Sequence, residues 1–180
     1  MIGRWLERNG VPGCQQEPPA ARKRRIALEL GVRPPDRVGG MADGSVHRSV
    51  TVERVAQGVF TASNTRGGQL RFGTGDTDFT PTELLLAAIA GCTAIDVDIL
   101  TSRRAEPESF QVRAEADKIR DAEGNRLTSI VVTYQIAFPG GAGGDEARAI
   151  LPDVVQRSHD RLCTVGRTVE NGTPISTRIA

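Results

Sequence analysis

The chain is poor in aromatics, in cysteine and in net charge, and each shortage excludes something. Aromatic residues make up 4% of the 180 positions, so a core has to come from Val, Ile, Leu and Ala. The 38% hydrophobic content is enough for one such domain. Three cysteines, an odd and low number, argue against a framework of structural disulfides and leave either inert buried thiols or a reactive set. A formal net charge of +1 carries no electrostatic signature of nucleic-acid or membrane binding. No run approaches the ~20 apolar residues of a bilayer span. The basic N-terminal stretch lacks the apolar core of a secretory signal, so the expected location is the cytoplasm. Gly73-Thr74-Gly75 is followed by neither the helix nor the lysine of a phosphate-cradling loop.

What is present falls into two parts. Residues 1–45 hold Pro12, Pro18, Pro19, Pro34 and Pro35, the basic run Arg22-Lys23-Arg24-Arg25 and little periodicity. A short helix over Ala21 to Leu30 would be stopped by the Pro-Pro and Gly-Gly pairs that follow. Such a segment buries too little surface to offset its ordering entropy. It reads as a disordered extension, with Met41 as an alternative start. Cys14 lies here and receives no functional role. The folded domain is expected over 46–180.

Within that domain Ser49 to Ala62 alternates and reads as a strand or a hairpin broken at Gln57-Gly58. Gly67-Gly68 signals a turn, and Gln69 to Phe72 a short strand. Thr80, Pro81 and Glu83 then form a capping box with proline at the first helical position. The helix they open runs from Leu84 to Ser102. Its first half, Leu84 to Ala90, is apolar all round and is expected to be covered on nearly every side. Phe110 to Ile119 and Leu127 to Phe138 read as paired strands, the second with strict period two at Ile130, Val132, Tyr134, Ile136 and Phe138. Asp145 to Leu162 reads as a second helix, kinked or shortened by Pro152, and Ile175 to Ile179 as a last strand. The order β-β-α-β-β-α-β argues for an α+β fold. A central helix needing cover all round, in so lean a domain, argues for a homodimer.

Two cysteines could carry chemistry. Cys92 lies about three turns into the apolar helix, sharing a face with Leu85, Ala88, Ile89, Ile95 and Ile99 on helical spacing. Apolar surroundings disfavour a thiolate, and so does Asp96 four residues on. Reactivity there requires a cation from elsewhere in the fold. Cys163 follows Ser158-His159-Asp160-Arg161-Leu162. His159, four residues earlier, would approach the thiol on a continuing helix as a candidate base. Two separated cysteines and one nearby histidine do not make a zinc-ligand spacing.

The stretch Thr80-Pro81-Thr82-Glu83-Leu84-Leu85-Leu86-Ala87-Ala88-Ile89-Ala90-Gly91-Cys92 resembles the Pro-x-Glu-Leu-Leu-x-Ala-x-x-x-x-Cys signature of the OsmC/Ohr-like family. Ser158 to Thr168, with Cys163-Thr164-Val165, resembles that family's second cysteine segment, about seventy residues further on. The resemblance implies an intertwined α+β homodimer, with antiparallel sheets packed on a buried central helix that bears the cysteine. It implies a thiol peroxidase in which Cys92 is peroxidatic and Cys163 resolving. The substrate would be an organic hydroperoxide, the reductant a lipoyl-type dithiol, and no metal or organic cofactor would be needed. Hydroperoxide-reducing members carry a glutamate directly after the helix-start proline, which orients an arginine. Here Thr82 takes that place, and Glu83 lies one residue, about 100° of helix, further round. Arg54, Arg66 and Arg71 are the candidates for the thiolate-stabilising cation. The chain thus resembles the broad branch of the family. A non-catalytic protein holding a small apolar ligand, or a thiol redox sensor, are the alternatives.

Overall fold

The computed structural model describes residues 45–180. Cys14, the basic run, the expected helix over Ala21–Leu30 and the Met41 start all lie outside the described residues. Strand β1 (Val50–Ala56) turns at Gln57-Gly58 into β2 (Val59–Asn64), and β2 turns into β3 (Gln69–Gly73). The three form an antiparallel sheet in the order β1-β2-β3. Gly58 has φ +71, a conformation that favours glycine and allows the tight reversal. The second turn is closed by Asn64, whose side-chain oxygen accepts from the backbone N–H groups of Arg66 and Gly68. This sheet pairs chiefly with itself, and Val50, Val52, Val55 and Leu70 are exposed on it.

Helix α1 (Pro81–Thr101) begins where the capping box requires. The Glu83 carboxylate accepts from the Thr80 backbone N–H at 2.7 Å, while the Thr80 hydroxyl accepts from the Glu83 N–H at 3.3 Å. The Thr80 N–H, and the Thr80 hydroxyl that donates to the same carboxylate at 2.8 Å, hold the Glu83 carboxyl below its ordinary 4.5. The chain by itself supplies only part of the cover expected of α1. Within one chain α1 buries a single stripe of four, Ile89, Thr93, Val97 and Thr101, spaced four residues apart. Leu85, Ile95 and Ile99 stay exposed. By length and composition α1 also meets the requirement of a membrane span, contrary to the sequence reading. Its buried stripe faces the protein's own elements.

Strands β4 (Ser109–Asp121) and β5 (Gly124–Ala137) form an antiparallel hairpin joined at Ala122-Glu123. Gly124 at φ +125 completes that turn. Both strands alternate as expected: Phe110, Val112 and Ala114 share the half-buried face with Ile130, Val132, Tyr134 and Ile136. The register shifts between Glu115 and Asp117, a bulge at which Ser129 adopts φ 53. Helix α1 packs on β4 and on α2 (Ala142–Arg157). Pro152 sits inside α2, where it removes one helical donor without ending the helix.

The helix does not continue regularly to Leu162. Ser158–Leu162 is a single π-helical turn, closed by a bond from the Cys163 N–H to the Ser158 carbonyl at 2.9 Å, and α3 (Thr164–Glu170) follows. The expected strand over Ile175–Ile179 is absent: this segment has no pairing partner among the described residues, and both isoleucines are fully exposed.

Candidate active site around two free cysteines

Cys163 is the residue between the π-turn and α3. It serves as the N-cap of α3, its sulfur accepting from the Gly166 backbone N–H at 3.2 Å. That approach explains a glycine at 166, since a side-chain carbon there would lie 3.3 Å from the sulfur. Only 3% of Cys163 is exposed. Burial pushes its thiol above the usual 9.0; the Gly166 N–H works against this, and Cys92 and Asp96 add to it. Cys92, half-buried on α1, is thus near enough to Cys163 to raise its thiol further. Both are free thiols. The fold brings together two residues from opposite ends of the domain.

A cavity of about 320 Å³ opens at Cys163. Ile89, Ile130, Val132, Val155 and Val169 give it an apolar wall; Thr93, Tyr134, Cys163 and His159 also line it. Behind that wall runs a chain of hydroxyls. Tyr134 and Thr93 share a hydrogen bond of 2.5 Å, Thr93 and Ser158 one of 2.9 Å, and Ser158 donates to the Asp96 carboxylate at 2.8 Å. Thr93 and Ser158 are buried. The Tyr134 hydroxyl is held above its ordinary 10.0, first by burial, with the Thr93 bond opposing and the negative charges of Cys163 and Asp96 adding.

The sequence-derived candidates separate clearly. Glu83 is committed to the cap of α1, as its spacing implied. Arg71 is paired with Asp78 at 3.2 Å. Arg66 sits in the β2–β3 turn and Arg54 on the exposed strand β1. Among the described residues no cation acts on Cys163; the groups that do are Gly166, Cys92 and Asp96. His159 reaches the cavity but lies 3.5 Å from Glu170. The π-turn carries both His159 and Cys163 to the wall of the same cavity. Among the described residues no group of metal-ligating side chains is assembled. Sequence reasoning missed Thr93, Tyr134 and Ser158. The one local signal was Tyr134 on the inward face of β5, where a buried hydroxyl requires a partner.

Comparison with known proteins places this geometry. A curated protein of Mycobacterium tuberculosis (strain H37Rv), itself uncharacterized, is 30% identical over 130 residues, covering 71% of this chain and 93% of its own. The solved structure of an OsmC-like protein of unknown function from Vibrio cholerae superposes with a TM-score of 0.59 at 15% identity, over 70% of this chain and 95% of its own. An organic hydroperoxide resistance protein from Elizabethkingia anophelis superposes at 0.50 with 16% identity, over 72% and 92%. These two likenesses establish the fold. The family described as "OsmC-like protein" matches residues 73–178, from the end of β3 through both cysteine segments, and the chain belongs to that family.

Proposed function

We propose that the protein is a cysteine-based thiol peroxidase that reduces organic hydroperoxides and works as a homodimer. The observation that carries this reading is that Cys92 and Cys163, two free thiols from distant elements, are neighbours, with Cys163 in the wall of a largely apolar cavity. The Cys92 thiolate attacks the terminal oxygen of the hydroperoxide. The S–O bond forms as the O–O bond breaks, Cys92 becomes a sulfenic acid, and the leaving alkoxide takes up from solvent the proton the thiol had released, giving the alcohol. The Cys163 thiol attacks that sulfur, water leaves, and a disulfide forms. An external dithiol returns it to two thiols by exchange and is itself oxidised. Burial that keeps Cys163 protonated until Cys92 is oxidised suits a resolving thiol. The exposed apolar face of α1 and the open β1–β2–β3 sheet support a partner subunit, which is also a source for the missing cation.

Consumption of cumene hydroperoxide with dihydrolipoamide as reductant tests the assignment. Cys92→Ser is expected to abolish turnover, and Cys163→Ser to stop it after about one equivalent. A Cys92→Ser protein as fast as the parent sinks the reading.

A second reading is favoured by one specific observation. No cation acts on Cys163 among the described residues, while the cavity walls are largely apolar. This suits a protein that holds a small apolar ligand without turning it over. A co-purified ligand in native mass spectra, together with ordinary alkylation rates at Cys92, supports it over catalysis.

A further inference from the structure

The hydroxyl chain has only one consistent direction. A carboxylate has no proton to give, so Ser158 must donate to Asp96. Its single proton is then committed, and in its bond to Thr93 it must accept. Thr93 has therefore spent its own proton on Ser158, and in its bond to Tyr134 it too must accept. Tyr134 is the donor of that last bond. Each hydroxyl has one proton, and every one in this chain points toward Asp96.

The consequence falls on the cavity. Tyr134 and Thr93 both line it, so the bond between them lies at its wall. The Tyr134 proton is turned away into the chain, and the oxygen keeps its lone pairs for whatever enters. The geometry points to Tyr134 as a hydrogen-bond acceptor that selects ligands by polarity. The cavity takes a small apolar body carrying one O–H donor, and disfavours ligands that can only accept, such as ethers, ketones and carboxylates. An anionic ligand meets the Asp96 charge at the end of the chain as well. Asp96, Ser158 and Thr93 are positioning residues: they act through Tyr134 by fixing which way its proton points. This deepens the hydroperoxide reading, since the terminal O–H of an alkyl hydroperoxide, or of its alcohol product, is such a donor. It does not depend on turnover.

The test compares two isomers of nearly equal volume, benzyl alcohol, which donates, and anisole, which only accepts. Their affinities for the full chain are measured by ligand-observed NMR. The ratio of the anisole to the benzyl alcohol dissociation constant is expected to fall roughly five- to tenfold in Tyr134→Phe, where the acceptor is gone. In Thr93→Val the Tyr134 proton loses its buried acceptor and turns into the cavity, so anisole binds more tightly than it does to the parent. A purely structural role weakens both probes alike. If Thr93→Val does not fold, Ser158→Ala decides. There the freed Thr93 proton turns to Tyr134, the chain reverses, and the same gain for anisole is expected. An unchanged ratio in the variants, or no measurable binding of either probe to the parent, overturns the proposal. Loss of peroxide turnover with the probe preference intact overturns only the peroxidase reading.

Discussion

The face of α1 that its own chain leaves open gives the sharpest test of the assembly. Ile95 is 61% exposed and Ile99 53% exposed, and they lie four residues apart on one side of the helix. Consider the double substitution Ile95→Glu with Ile99→Lys. In a lone protomer it should be harmless: both new residues are good helix formers, and a Glu–Lys pair at this spacing stabilises a helix by about 0.2–0.5 kcal/mol. Against a partner subunit the outcome is opposite. Full burial of an isoleucine is worth about 1.5–3 kcal/mol, so covering the half still exposed contributes about 1 kcal/mol or more per side chain. A two-fold interface uses each residue twice, which places the loss on the order of 5 kcal/mol before the cost of desolvating the new charges. At about 1.4 kcal/mol per tenfold, dimer affinity falls more than a thousandfold. Sedimentation equilibrium across a concentration series, together with thermal melts at each concentration, reads this directly. The parent is expected to sediment as a dimer and the variant as a monomer that melts earlier. A variant with the parent's mass and melting temperature would refute the reasoning.

The cap of α1 and the burial of Cys163 give three further expected outcomes. Thr80→Ala removes one side of the capping box and is expected to cost about 1 kcal/mol in urea unfolding. Glu83→Gln isolates the charge: a carboxyl held below 4.5 in the fold contributes stability that is present above that value and lost as pH falls through the lowered one. The gap between parent and Glu83→Gln should be open at neutral pH and close in acid; a gap that widens in acid contradicts the cap assignment. At Cys163, burial and a thiol raised above 9.0 predict slow labelling by iodoacetamide. Followed by peptide mass spectrometry, its rate should pass half-maximum above pH 9.0; rapid labelling near neutrality would show that a cation reaches the site.

What could be read in advance was what depends on neighbours in sequence. Thr80, Pro81 and Glu83 mark the start of α1 because capping is chemistry within one turn. The alternation from Ile130 to Ile136 marks β5 because side chains change face at every residue. Gln57-Gly58 was legible as the break in a hairpin for similar reasons. The chain from Tyr134 through Thr93 and Ser158 to Asp96 was not, because its links join residues 41, 65 and 62 positions apart. Nor was the π-turn at Ser158–Leu162, which no local residue pattern foreshadows.

The ambiguity of α1 has the same physical root. An apolar helix says how much cover it needs and nothing about whose side chains provide it. Here the two halves of the requirement separate by face. The stripe Ile89, Thr93, Val97 and Thr101 is covered by the chain itself, and Thr93 carries the hydroxyl chain. The stripe Leu85, Ile95 and Ile99 is left open. Cys92 immediately precedes Thr93 but lies, half-buried, on the helix face it shares with Leu85, Ile95 and Ile99. It neighbours Cys163, on whose thiol no cation acts among the described residues. The face it stands on is the one a second subunit would close, and under the proposed function that subunit supplies the arginine that stabilises a Cys92 thiolate. The dimer and the chemistry at Cys92 are accordingly one question, and breaking the interface at Ile95 and Ile99 should abolish peroxide reduction along with association.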